Sequence, residues 1–175
     1  MDIQFIFLAI FLLVVFYYDA FKQVIPNWLN VIGVLGGLVI NLLVGSIDGL
    51  LFSFLGGLVC GLILLVLYIF KALGAGDVKL FIAIGCISGV LFGLYALMYS
   101  IIFAGVIGVL YLIFTRTIFK QITLSVIHMK ESLQKKSLTP MDEFKKNVAT
   151  KFPFIYAVLP GVAVTYYYMI ILGGN

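Results

Sequence analysis

Asp77 stands directly behind two glycines, in the stretch Leu73-Gly74-Ala75-Gly76-Asp77-Val78-Lys79-Leu80, and beyond Lys71 the flanking charges are Asp48 before it and Arg116 after it. A carboxylate at the edge of a hydrocarbon layer costs up to roughly 3 kcal/mol on insertion scales, so it marks a functional site and calls for a partner. The candidate partner is Asp19, which closes the first apolar run as Asp77 opens a later one. If two such acids came within about 5 Å, they would repel by roughly 3 kcal/mol at an effective dielectric of 20, so one would hold a proton. The charged member can then activate a water as general base while the protonated one donates to a carbonyl, the chemistry of peptide hydrolysis by paired aspartates. Such a pair titrates as a unit, so neither acid is assigned as the base. Gly74 and Gly76 leave room for an extended peptide to lie against the turn. Taken singly, each acid has a plainer reading: Asp77 as an N-cap after a glycine turn, and Asp19 as an interfacial acid.

The elements that must position these acids are apolar. The 175 residues are 64% hydrophobic and 10% charged, with a mean hydropathy of +1.25. This composition belongs to multi-span membrane proteins and leaves one membrane-embedded domain over residues 1–175. The longest polar interval, residues 116–151, is too short to bury a core of its own. Residues 3–18 read as a first span rather than a cleavable signal, because no basic n-region precedes them and no small-x-small site precedes Asp19. Tyr17 and Tyr18 suit the membrane interface. Pro26 disfavours helix at Ile25, and Asn27 is expected to cap a second span over residues 28–44. Gly45-Ser46-Ile47-Asp48-Gly49 predicts a tight turn, and residues 50–70 a third span.

Residues 80–114 carry no charge, and as one helix they would be roughly 50 Å long against a hydrocarbon core of about 30 Å. A break is expected at Gly89-Val90-Leu91-Phe92-Gly93, with a short fourth span from about Val78 and a fifth over residues 94–114. Residues 152–172 make a sixth. Six spans with the N-terminus outside place all eleven basic residues on the cytoplasmic side, whereas a single crossing at 80–114 would separate the polybasic interval from Lys22, Lys71 and Lys79. The expected fold is therefore an all-α, multi-span membrane protein of six transmembrane helices. The same parity brings Asp19 and Asp77 to the cytoplasmic face.

Between the fifth and sixth spans, Ile118, Ile122, Val126, Met129 and Leu133 recur at helical spacing and predict an amphipathic helix on the bilayer surface. Thr139-Pro140-Met141-Asp142-Glu143 reads as the start of a second short helix. The lysines there serve topology and anionic lipid, so no nucleic-acid partner is implied. His128 reads as a surface residue. Cys60 and Cys86 lack CxxC spacing and read as buried thiols, which implies no metal site and no cofactor. Gly33/Gly37, Gly57/Gly61 and Gly89/Gly93 have the spacing that lets membrane helices approach closely.

Gly74-Ala75-Gly76-Asp77-Val78-Lys79 resembles the GxGD motif of the prepilin peptidases. Asp19, followed by Lys22 and by Ile25-Pro26-Asn27, resembles that family's first aspartate with its trailing basic residue and IPN. Lys151-Phe152-Pro153-Phe154 with Gly161 is similar to the family's last span. The resemblance implies a membrane aspartic endopeptidase that removes the short basic leader of type IV pilin-like precursors at the cytoplasmic face of the cell membrane. It makes Asp19 and Asp77 the catalytic pair and Gly74, Gly76, Lys79, Lys22, Pro26 and Asn27 their supporting motif residues. The cytoplasmic tetracysteine insertion of longer members is missing from this sequence. That points to the compact form associated with Flp-type or archaellin-like precursors, and to peptidase activity alone. Two other readings remain. Presenilin-like and signal-peptide-peptidase-like proteases share GxGD but resemble a YD motif inside a span, whereas Tyr18-Asp19 ends one. A non-enzymatic assembly or proton-coupled transport subunit would tolerate an Asp-to-Asn change in one aspartate, or lose transport without any peptide cleavage.

Overall fold

The computed structural model describes residues 3–22, 24–70, 73–114 and 154–173. They form four α-helices: α1 (Ile3–Lys22), α2 (Asn27–Ile69), α3 (Ala75–Phe114) and α4 (Ile155–Tyr166), which runs on as a π-helix over Tyr167–Leu172. No strand occurs among the described residues. Helices α1, α2 and α3 are long and apolar enough to cross a membrane. One compact unit comprises Met1–Ala104 with Pro153–Asn175, and a second comprises Gly105–Phe152. Of the second, the described residues are the helical 105–114. The amphipathic helix expected over 118–133, the short helix from Thr139, and His128 lie outside the described residues.

Helices α2 and α3 hold 43 and 40 residues, and neither is a straight rod. In α2, Ser46 leaves the helical region at φ 53°, ψ −138°. A methyl group on Gly49 would strike the carbonyl of Asn41, eight residues earlier. In a continuous helix those residues would be roughly 12 Å apart, so the chain doubles back. In α3 the break falls on Gly89, at φ 81°, which brings Gly93 against the Gly85 backbone in the same way. Both breaks lie where expected, but each is confined to one residue, and helix resumes at Val90 rather than Leu94.

The reason for so short a break in α3 is that its loose ends are held by α2. In an uninterrupted helix the carbonyls of Cys86 and Ile87 would accept from Val90 and Leu91. Instead Asn41 Nδ2 donates to both, at 3.0 and 3.1 Å, and Ser53 Oγ donates to the Cys86 carbonyl as well. Gln4 Nε2 donates to Asn41 Oδ1 at 2.7 Å, so a fully buried amide is completely used. Irregular backbone at membrane depth is tolerable only with such partners.

The first part of α3, residues 75–88, is the packing centre. Leu80, Phe81, Ala83, Ile84 and Ile87 are completely buried, against Leu8, Phe11, Leu12 and Val15 of α1, Leu64 of α2, and Ile155 and Val158 of α4. Helix α2 approaches it through small residues. The Gly37 Cα faces the Cys86–Ile87 backbone, Gly56 faces Gly85, and Gly57 faces Cys86. Cys60 and Cys86 are buried free thiols, as expected. On the outside, Ile6, Ile10, Leu13, Val31, Leu35, Leu43, Leu62 and Val66 are exposed. Apolar surface of that extent needs lipid around it.

Candidate active site

The inward stripe of α1 runs Leu8, Phe11, Leu12, Val15 and then Asp19, so helical periodicity alone carries the acid into the bundle. Asp19 is only 8% exposed. Its Oδ2 accepts the backbone N–H of Ile155, the first residue of α4, at 3.1 Å. The first N–H groups of a helix have no partner of their own and carry its positive dipole end, so the carboxylate serves as an anchor for α4.

Asp77 was expected to start its helix; α3 instead begins at Ala75 and Asp77 sits in its first turn. Its Oδ2 reaches back to the N–H of Gly74 at 3.1 Å, while the Gly74 carbonyl accepts from Asp77 N at the same distance. This is the return bond of a capping box, made by an acid at the third helical position. It fixes the carboxylate against the glycine turn.

The contacts of α4 link the two helices that carry the acids. Phe81 lies one turn beyond Asp77 on the same face of α3. Its ring packs on Phe154, 6.3 Å between centroids, and Phe154 precedes the residue that holds Asp19. Two carboxylates, each holding a backbone N–H through Oδ2, thus share one end of the bundle. Gly161 lets α4 close in, since any side chain there would meet Ser100 of α3.

The remaining motif residues frame this end. Pro26 occupies the N-cap position of α2, with extended φ −63° and ψ 139°, and no side chain caps the helix. Asn27, expected to be that cap, is instead the first helical residue, and its Oδ1 accepts from Lys79 Nζ at 2.8 Å. The short amide serves either purpose, and the arrival of an ammonium from α3 decides which. Ile25 packs beside Gly76, its Cδ1 3.9 Å from where a side chain would begin. Lys22 lies over the Tyr18 ring, 4.9 Å from the centroid, and Tyr18 meets Trp28 edge-on. Positions 77 and 79 leave α3 about 200° apart, so Lys79 ties α2 to α3 on the side away from Asp77. Lys79→Met is expected to lower stability by only about 0.2–1 kcal/mol, in line with an exposed charged hydrogen bond, and a larger drop in the thermal midpoint would show that this tie holds α2 to α3.

Sequence reasoning missed Ile155, Asn30, Asn41 and Ser53. The amides carried a signal, since a polar residue inside an apolar run needs a partner. The Asp19–Ile155 bond spans 136 residues and uses a backbone group, so no residue type announces it. No group of three or more His, Cys, Asp or Glu that could hold a metal occurs among the described residues.

No curated protein and no solved structure gives a match to this chain. The sequence model of the type IV leader peptidase family matches residues 6–113, which include Asp19, Ile25-Pro26-Asn27 and the Gly74-to-Lys79 motif. That span covers more than half of the chain and most of the described bundle, and on it the chain belongs to the type IV leader peptidase family.

Proposed function

We propose that the protein is an aspartic endopeptidase that cuts the short basic leader from type IV pilin-like precursors, with Asp19 and Asp77 as its catalytic pair. What supports this reading is that the helices carrying the two acids are tied to the same end of α4, Asp19 through the Ile155 N–H and the Asp77 helix through Phe81 on Phe154. One carboxylate takes a proton from a water, whose oxygen attacks the carbonyl carbon of the scissile peptide. The other, protonated, donates to the carbonyl oxygen. Collapse of the tetrahedral species then breaks the C–N bond: the departing amine takes the proton removed from water, and one hydroxyl of the tetrahedral carbon returns its proton to the other aspartate, leaving the carboxylic acid product and the pair as it began. Gly74 and Gly76 keep the approach to Asp77 free of side chains.

The setting goes with this chemistry. The breaks in α2 and α3 at Ser46 and Gly89 leave six helical segments among the described residues, which supports six crossings, and the placement of the eleven basic residues favours the N-terminus outside. On that reading the acids lie at the cytoplasmic face of the inner membrane, where the leader of a membrane-inserted precursor arrives. With two cysteines, neither in CxxC spacing, these residues carry no tetracysteine, which favours Flp-type or archaellin-like precursors. The test is co-expression with precursors whose basic leader ends in glycine ahead of an apolar helix. Mass spectrometry should find the leader removed at that glycine. Intact precursors across both pilin and flagellin leaders would count against the reading.

A further inference from the structure

Gly74 and Gly76 stand beside the same acid, yet different needs make them glycine. A side chain on Gly74 would begin 3.2 Å from Asp77 Oδ2, the oxygen that accepts the Gly74 N–H, so glycine there keeps the carboxylate anchored. Gly76 has no such duty. It lies in the first turn of α3, and its backbone is not left-handed. Among the described residues a side chain at 76 would begin in open space, with Ile25 Cδ1 alone in reach at 3.9 Å, an ordinary van der Waals contact. Gly33, Gly37, Gly56, Gly57 and Gly161, by contrast, are held to glycine by neighbours nearer than 3.0 Å. Gly45, Gly105 and Gly108 also face open space among the described residues, but none adjoins a candidate catalytic residue in the chain. Alanine is the better residue inside a helix, so the fold alone favours a side chain at 76. The chain has none.

The flank of Asp77 on which Gly76 stands is the open one. Successive residues leave a helix about 100° apart, so Gly76 and Val78 lie on opposite flanks of Asp77. Val78 is buried in the core, as are Leu80 and Phe81, whereas Gly74 and Ala75 are exposed and Gly76 is half-buried. A peptide that reaches the Asp77 carboxylate therefore crosses Gly76, with Ile25 beside it. On the peptidase reading above, on which this rests, we infer that Gly76 is a specificity-determining residue. Its bare Cα receives the residue that precedes the cut, and Gly76 with Ile25 limits that residue to glycine. A methyl group added to either the enzyme or the precursor then strikes the other.

The test pairs enzyme and precursor variants. Wild type, Gly76→Ala, Ile25→Ala and the double variant are each co-expressed with one precursor whose residue before the cut is glycine or alanine, and cleavage per amount of enzyme is read by mass spectrometry. Wild type should favour glycine by about tenfold or more, the discrimination that one methyl group gives in a close-fitting site. Gly76→Ala should cut the glycine precursor about tenfold less, through a raised KM measured on purified enzyme. Its thermal midpoint should stay equal or rise by a few degrees. Ile25→Ala should narrow the gap between the two precursors by about tenfold, a ratio within one enzyme that loss of folded protein leaves untouched. In the double variant it should raise cleavage of the glycine precursor about threefold or more over Gly76→Ala alone. Undiminished cleavage by Gly76→Ala, a loss confined to kcat with no rescue by Ile25→Ala, or a lowered midpoint would overturn the inference. A wild type that leaves the glycine precursor whole, or that cuts it equally well with both acids changed to asparagine, would bring down the peptidase reading and this inference with it.

Discussion

Asp77→Asn is expected to lower leader cleavage by about 10³-fold or more, and Asp19→Asn to do the same, at unchanged abundance in the membrane. Asparagine is the right replacement because it removes the charge and the exchangeable proton while keeping an oxygen in place. In Asp19→Asn the amide oxygen still accepts the Ile155 N–H, and in Asp77→Asn it still accepts the Gly74 N–H, so both anchors survive. Alanine separates the two duties of Asp19. Asp19→Ala also strips the first N–H of α4 of its partner and should lower stability by about 1 kcal/mol or more, as loss of a helix cap does. Normal cleavage by either Asp-to-Asn variant, assayed as product per amount of enzyme, would remove that acid from the chemistry.

The second large effect lies away from the acids. Asn41→Leu is expected to destabilise the fold by about 2–3 kcal/mol, because it leaves the Ile87 carbonyl without a donor and the Cys86 carbonyl with Ser53 alone. The Gln4 amide loses its acceptor in the same step. Thermal unfolding in detergent would show it as a lowered midpoint, and the membrane would hold less protein. An unchanged midpoint would mean that the break at Gly89 holds without its amide clamp.

This contrast shows what could be read before the fold was known. The two breaks were legible: Gly45 to Gly49 set turn-formers and an acid between two apolar runs, and an uncharged run of 35 residues over 80–114 is too long for one crossing, with glycines marking where it could bend. The two acids could be singled out because Asp19 and Asp77 stand at the ends of apolar runs beside turn-forming residues. The partners of both could not. Asp77 bonds its own turn through Gly74, a local geometry that depends on where the helix starts. Asp19 bonds Ile155, which only the packing of α4 on α1 and α3 brings near. Asn27 misled for a physical reason: an amide at a helix start is a good cap until an ammonium from another helix claims its oxygen. Asn41 and Ser53 escaped notice because their task, completing carbonyls that Gly89 releases, exists only once α3 has folded back.

The most direct test of the account is a double-mutant cycle on cleavage. Wild type, Asp19→Asn, Asp77→Asn and the double variant are compared for removal of one co-expressed leader, at matched membrane abundance. Groups that act as a unit on one water are strongly non-additive, so the double variant should be no slower than the slower single variant. Losses that multiply, or cleavage that persists in the double variant, would contradict a shared site for Asp19 and Asp77.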